Sequence, residues 1–202
     1  MLKGPTIQAL SGLLLFACTV PGYGAQKFPD FPVRQPGNYS ISAQQDEVSV
    51  GLDPVESVQD QLTYFHTALS PKGFLPVFVV VHNGSKLDSL LLDKSGISYG
   101  LDKEIGSGPK ENTAGQKAAI VSSAFIPFIG GFISLGMAED ASGVKQNLIL
   151  QELQSETLSP GDTAHGFLYI PIPKKGPLPK IQIQVPIAWT RSDKTSVVHL
   201  DF

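Results

Sequence analysis

The chain of 202 residues is long enough for one domain with a hydrophobic core and too short for two comfortable ones. Charged residues make up only 16%, the formal net charge is -3, and no basic stripe with interleaved aromatic residues occurs. These features argue against a nucleic-acid partner. The 20 glycines and 16 prolines favour a fold with many turns over a helical bundle.

The N-terminal residues have the pattern of a secretory signal. Lys3 precedes an apolar stretch from Leu10 to Val20, and Pro21 to Ala25 then offers small residues where a peptidase would cut. The apolar stretch is short for a transmembrane helix. We therefore expect a signal over 1–24, an exported protein of the periplasm or the membrane-anchored cell envelope, and a tether or lead-in over 25–38.

The only cysteine of the chain, Cys18, lies inside this signal. The stretch Leu15-Phe16-Ala17-Cys18 resembles the bacterial lipobox, in which the cysteine is lipidated and becomes the first mature residue; Phe16 departs from the pattern, because small residues are usual there. Two alternatives stay open. Either Cys18 is lipidated and 1–17 is removed, or the chain is cut near Gly24 and Cys18 is discarded. Neither form contains a disulfide within one mature chain, so the fold depends on its core.

The first half of the domain has the signals of several strands and one helix. Tyr39 to Ser42 and Val48 to Leu52 alternate apolar and polar residues, and Gln44 to Glu47 between them is typical of a hairpin tip. The next segment, 57–68, is predicted as a helix from the apolar side chains on one face: Val58, Leu62 and Phe65.

A β-branched and aromatic run over 74–85 predicts a central strand. Pro76 fits such a strand only near its beginning, where no hydrogen-bond donor is lost from the ladder. The pair Asn83-Gly84 favours a hairpin turn over a glycosylation site. Two further short strands are predicted at 90–92 and 97–99.

Residues 118–138 form a run of 21 residues without a charge, which is long enough to span a bilayer. Pro127 and Gly130-Gly131 break the run near its middle, and a span would separate the last strands from the earlier ones, so we expect an inserted helical hairpin. Three interpretations stay open: core packed on a sheet, contact with lipid or a partner, or a true span. The second assigns the contact to six side chains: Phe125, Ile126, Phe128, Ile129, Phe132 and Ile133.

The last part of the chain predicts one more helix and a group of strands. The helix covers Val144 to Leu153, begins near Ser142, and directs Val144, Leu148 and Leu153 inward. A turn is expected at 159–162. Three strands complete the chain: 166–171, 181–185 and 196–202.

The order of three segments resembles that in uncharacterised bacterial exported immunoglobulin-like proteins. These segments are the Val-rich strand that ends in Asn83-Gly84-Ser85, the turn Leu158 to Gly161 and the strand Gly166 to Tyr169. The resemblance implies a mainly β fold: an antiparallel β-sandwich over 39–202, with the helical hairpin and one further helix inserted at about 110–155. That family has no assigned activity, so no functional residue follows from it.

No pattern of catalytic or metal-binding chemistry emerges from the residues. No serine elbow occurs, the carboxylates are dispersed, and Gly108 to Lys117 departs from the phosphate-loop pattern. The four histidines have no ligand spacing: His66, His82, His165 and His199. We predict no catalytic residue, metal or cofactor.

The first hypothesis for function is a non-enzymatic cell-envelope module that binds another protein or a membrane surface. Two other classes stay open. One is a carboxylate-dependent hydrolase of the envelope, which two close acidic groups with raised pKa values in one cleft would favour. The other is an integral membrane component anchored by 118–138.

Overall fold

The computed structural model describes residues 29–101, 126–127 and 142–202. Within them the chain is mainly β, with two antiparallel sheets. The two α-helices in this part of the chain are α1 (Val58–Phe65) and α2 (Ser142–Gln151). The strands are β1 (Ile41–Gln45), β2 (Val48–Pro54), β3 (Phe74–Asn83), β4 (Leu90–Leu92), β5 (Ser98–Leu101), β6 (Ile126–Pro127), β7 (Glu156–Leu158), β8 (Thr163–Pro171), β9 (Ile181–Trp189) and β10 (Thr195–Asp201).

The first sheet has the order β1-β2-β3-β8. β1 and β2 form the predicted hairpin, in which Gln45 pairs with Val48. β3 lies between β2 and β8 and is buried along most of its length, so its prediction as a central strand is confirmed. Pro76 is the third residue of β3 and lies just beyond the end of β2, where Pro54 pairs with Val77. Its missing N–H therefore interrupts no bond to β2.

The second sheet is built around β9. β10 pairs along one edge of β9, while β5 and β4 lie end to end along the other edge. Pro186 falls at the junction between those two short strands, and a Cβ on Gly96 would lie 2.8 Å from its Cγ atom. A proline is compatible with a central strand at this junction because the partner ladder is interrupted there. β6 pairs with β5, and β7 pairs with β4.

The inner faces of both sheets contribute to one hydrophobic cluster. Val50 and Val79 of the first sheet belong to it, as do Ile183 and Val185 of the second sheet. β9 alternates between buried and half-buried residues, as its sequence predicts. Burial of each such aliphatic side chain contributes about 1.5–3 kcal/mol, so this cluster is the main source of stability for the two sheets.

A second hydrophobic cluster lies on the outer face of the first sheet, where α1 and α2 pack. Phe78 and Phe167 supply sheet residues to it, while Phe65 comes from α1 and Leu148 from α2. The prediction that Leu148 and Leu153 point inward is confirmed, because both are fully buried, and Val144 packs against this cluster. The molecule therefore has a helical layer over the first sheet in addition to its two sheets.

The helix predicted over 57–68 is confirmed as α1, but of the three apolar side chains that predicted it only Phe65 is buried. Val58 and Leu62 are 45% and 43% exposed, whereas Gln61 and Phe65 are buried. The helix does begin after Ser57, whose hydroxyl accepts a hydrogen bond from the backbone N–H of Asp60. The helix directs Gln61 rather than Leu62 toward the core because the amide of Gln61 satisfies buried backbone groups that no apolar side chain can satisfy.

The expected hairpin turn at Asn83-Gly84 is wrong. β3 and β4 belong to different sheets, so the segment 84–89 crosses from one sheet to the other. The buried amide of Asn83 donates to the carbonyl oxygens of Asp88 and Leu158, each at 3.0 Å, and accepts from the backbone N–H of Ser85. Both amide hydrogens are therefore used inside the fold, where they hold the crossing segment against the start of the turn after β7.

Of the run 118–138, predicted as a helical hairpin, the structure describes only Ile126 and Pro127. These two residues are extended and pair with Tyr99 and Ser98 of β5, so they differ from the helical expectation. The other five predicted contact residues lie outside the described residues, as do the predicted signal and Cys18. Among the helices of the described ranges, none has the length and apolar character needed to cross a bilayer.

Candidate functional site

Four exposed lysines gather at one end of the sheets, which we call the lysine end: Lys72, Lys174, Lys175 and Lys180. They come together because Phe74 at the start of β3 pairs with Pro171 at the end of β8. Lys72 lies just before β3, and the loop 172–180 follows the end of β8. The loop then enters β9 at Ile181, which pairs with Leu101 of β5.

The loop of the lysine end is held to the first sheet. The backbone N–H of Ile172 donates to the carbonyl oxygen of Gly73 at 2.8 Å. The aliphatic stem of Lys174 lies over the same glycine, since a Cβ there would be 3.1 Å from its Cγ atom. Gly73 also has φ of 90°, a conformation that an L side chain rarely adopts. Glycine at this position thus allows both the turn and the close approach of the lysine.

A cleft of about 430 Å³ opens beside these lysines. Leu75 and Ile172 form part of its wall, and the apolar side chains of Val58 and Leu178 at its rim are 45% and 38% exposed. Glu56 is the one carboxylate among the described residues that line it. The lysine end thus combines accessible apolar side chains with an excess of positive charge.

The opposite end of the sheets carries several carboxylates in its turns. Hydrogen bonds from Lys194 and Ser196 lower the pKa of Asp46. Partial desolvation raises the pKa of Asp88, but hydrogen bonds that include one from the backbone N–H of Arg191 outweigh it, so this pKa is lowered as well. These are the properties of carboxylates that stabilise turns, and they differ from the raised pKa that a general acid at neutral pH requires.

We expect the stability of the domain to depend on Asp46 in acid. Because folding lowers the pKa of Asp46, its contribution is complete above the unfolded value of 3.8 and is lost as the pH falls through the lower folded value. In Asp46→Asn the free energy of unfolding should therefore fall less steeply as the pH is lowered below 3.8. Urea unfolding over a pH series measures this slope. Lys194→Met removes the main cause of the shift and should flatten it too; a wild-type slope in both variants would contradict the assignment.

A second cleft, which we call the aromatic pocket, lies on the outer face of the first sheet and measures about 350 Å³. Its walls include three rings in mutual contact. The ring centroid of Phe31 lies 4.7 Å from that of Phe78 and 5.1 Å from that of Phe167, and the last two are 5.0 Å apart. Phe31 comes from the segment before β1, so this lead-in packs on the sheet.

The aromatic pocket also holds the end of α2 and the residues that follow it. Glu152 is 8% exposed, and its Oε2 atom lies 3.1 Å from Nζ of Lys94. Its Oε1 atom and Oε1 of Gln151 are buried and have no hydrogen-bond partner among the residues described. The segment is fixed by the backbone N–H of Leu153, which donates to the carbonyl oxygen of Phe167 at 3.0 Å.

Two of the four histidines lie on the same face of neighbouring strands, because Val80 pairs with His165 and His82 pairs with Thr163. Nδ1 of His82 lies 3.0 Å from the hydroxyl of Thr163, and the exposed His165 lines the aromatic pocket beside Phe78. Within 29–101, 126–127 and 142–202, no group of three His, Cys, Asp or Glu side chains is arranged to hold a metal ion. Of the predicted contact residues, only Ile126 falls in this part of the chain, at the edge of the second sheet.

The sequence reasoning missed both clefts. The four lysines are separated by up to about a hundred positions, and only the register of β3 with β8 brings them together. For the aromatic pocket a weak signal was present: Glu152 interrupts an apolar run between Leu148 and Leu153, where a buried charge is unusual without a partner. Comparison of the chain with protein-family models, with curated proteins and with solved structures found no match.

Proposed function

We propose that this protein is a non-enzymatic, exported module of the cell envelope that binds an anionic membrane surface through its lysine end. Export rests on the signal pattern of 1–24, with lipidation at Cys18 or cleavage near Gly24 as the two routes to the mature chain. The single observation that carries the proposal is the combination of four lysines with the exposed apolar rim of Val58 and Leu178.

The chemistry of an anionic bilayer surface matches this combination. A lysine held near anionic lipid headgroups contributes about 1 kcal/mol to binding, and accessible apolar side chains add to it by entering the headgroup region. An acidic protein would match the charges but would leave the apolar rim unexplained. The observations therefore favour a lipid surface over an acidic protein partner.

The position of Ile126 and Pro127, the described residues of the uncharged run 118–138, supports the same orientation. Its described residues form β6, which pairs with β5, and β5 pairs with the first half of β9. The loop of the lysine end enters β9 at that same half, so β6 joins the second sheet on the side where Lys180 lies. We propose that its apolar side chains, predicted above as lipid contacts, meet the same surface: Phe125, Ile126, Phe128, Ile129, Phe132 and Ile133.

We infer further that the fold is an immunoglobulin-like β-sandwich. The connectivity supports this inference. The successive strands β2 and β3 lie beside β8 in the first sheet. The chain crosses to the second sheet twice, from β3 to β4 and from β8 to β9. The hairpin β9-β10 then lies beside β4 in the second sheet. Strands A, B and E and strands C, F and G of immunoglobulin domains are connected in this manner. The helical hairpin over 118–138 remains a prediction.

Sedimentation with lipid vesicles tests the proposal. The exported, purified protein carries Cys18→Ala in every form, so that no lipid anchor contributes to binding. We expect it to sediment with phosphatidylcholine mixed equally with phosphatidylglycerol, and far less with phosphatidylcholine alone. Lys174→Gln with Lys175→Gln should weaken binding by about 2 kcal/mol, or about thirtyfold, because two headgroup contacts are lost.

The matched control removes the same charge elsewhere. Lys86 lies in the crossing segment at the opposite end and Lys145 lies in α2, and both are exposed. Lys86→Gln with Lys145→Gln should bind the anionic vesicles within about twofold of the parent, since a change of net charge alone has a small effect at physiological salt. Equal losses in the two double variants, or no preference for anionic vesicles, would overturn the proposal, and the latter would point to an acidic protein.

A further inference from the structure

We propose that the aromatic pocket binds a cationic nitrogen group, either an ammonium or a guanidinium. This inference is independent of membrane binding, because the pocket lies on the outer face of the first sheet and shares no lining residue with the cleft at the lysine end. No residue of the pocket was singled out above as a lipid contact. The vesicle experiment can therefore fail while this proposal holds, and the reverse is equally possible.

The first argument is the set of buried acceptors without a donor. A carboxylate only accepts hydrogen bonds, and Lys94 engages only Oε2 of Glu152. Oε1 of Glu152 and Oε1 of Gln151 both belong to residues that line the pocket, and neither has a donor within the described residues. A buried acceptor is normally satisfied. An ammonium or guanidinium group supplies several N–H donors together with a compensating charge.

The second argument is the charge of the pocket. Three carboxylates line it, from Asp30, Glu152 and Glu156, and no lysine or arginine is among its described lining residues. Lys94 balances one of these charges through Oε2 of Glu152. The pocket keeps an excess of negative charge, which repels an anionic ligand and attracts a cationic one. A neutral ligand would leave Oε1 of Glu152 without a charged partner.

The third argument is the aromatic wall. Phe31, Phe78 and Phe167 line the same pocket as Glu152 and are in contact with one another. The π faces of aromatic rings attract positive charge. The volume of about 350 Å³ is at the lower end of the range for small-molecule sites. It suits a single lysine or arginine side chain, or a small free amine of similar length.

Titration with small cationic probes tests the proposal on the exported, purified protein. The probes are N-acetyl-lysine amide, N-acetyl-arginine amide and cadaverine, and N-acetyl-norleucine amide is the neutral control with nearly the same stem. Binding is followed by calorimetry and by the NMR shifts of the phenylalanine rings. We expect saturable binding of at least one cationic probe, with ring shifts at Phe31, Phe78 and Phe167, and at least tenfold weaker binding of the norleucine amide.

Two variants decide whether Glu152 carries the recognition. Glu152→Gln keeps the size of the side chain and removes its charge, so cation affinity should fall at least tenfold. Glu56→Gln removes one exposed carboxylate at the lysine end and should leave the affinity unchanged. If Glu152→Gln does not fold, Phe31→Leu replaces it, since loss of one ring should weaken the cationic probes and not the neutral one.

The outcomes distinguish two sources of the same group. A preference for the acetylated amides indicates a basic side chain of a partner protein, whereas a preference for cadaverine indicates a free amine; both support a cation site. The proposal is overturned if no cationic probe binds, if the norleucine amide binds equally well, or if Glu152→Gln retains the affinity of the parent protein.

Discussion

Replacing Gly166 with alanine is expected to lower the free energy of unfolding by about 3 kcal/mol, as overpacking in a rigid interior does. A Cβ on Gly166 would lie 2.5 Å from both the Cα and the N atom of Leu153. These are backbone atoms, and the same N–H donates to the carbonyl oxygen of Phe167, so no side chain can rotate away to relieve the contact. Urea unfolding followed by tryptophan fluorescence measures the loss.

The control for this substitution is Gly37→Ala. Nothing lies within 4 Å of a Cβ at Gly37, so alanine there should change the unfolding free energy by less than about 0.5 kcal/mol. Gly166→Ala should also displace Glu152, whose carbonyl carbon would lie 3.0 Å from the new methyl group. The variant is thus expected to lose affinity for the cationic probes as well as stability. Equal stabilities of the two alanine variants would contradict the close approach.

The strands were the part of the fold that the sequence predicted best. β9 alternates apolar and polar residues because one face packs between the sheets while the other remains half-buried, and its pattern predicts that directly. β3 is apolar on both faces because a sheet lies on one side of it and helices on the other. A continuous apolar run predicts such burial, but it cannot tell which elements provide the cover.

The errors have a common physical origin in buried polar side chains. Gln61 and Asn83 are fully buried, and each satisfies backbone groups from separate segments of the chain. A periodicity argument assigns polar residues to solvent, so it grouped Val58 and Leu62 with Phe65 on one face of α1 and treated Asn83 as part of a hairpin turn. Only knowledge of which backbone groups lack partners in the tertiary structure would have corrected both assignments.

The candidate sites were harder to predict from the sequence for a different reason. The lysine end and the aromatic pocket are both assembled across strand pairs that are distant in sequence, such as β3 with β8. The register of such a pair depends on the whole core, and a shift by one residue would place Phe78 and Phe167 on the opposite face. Composition and local motifs carry no information on this register, so neither cleft was predicted.

Gln61 is a fully buried polar side chain on which several backbone groups depend. Its Oε1 atom accepts from the backbone N–H groups of Leu69 and Ser70, at 2.8 and 3.0 Å, and its Nε2 atom donates to the carbonyl oxygen of Val55 at 2.7 Å. The amide thereby joins α1 to the chain before it and to the turn after it. All of these groups lose their partner if the amide is removed.

Gln61→Leu should lower the free energy of unfolding by about 4 kcal/mol, because each buried backbone group left without a partner costs about 1–3 kcal/mol. Leucine fills most of the same volume, so a loss of this size reports the missing hydrogen bonds more than a cavity. Gln59→Leu is the matched control, since Gln59 is exposed on the same helix, and it should change stability by less than about 0.5 kcal/mol. Urea unfolding of the two variants side by side decides the matter. A Gln61→Leu protein as stable as the control would mean that water or a shift of α1 satisfies those groups, and the polar anchoring of the helix would have to be abandoned.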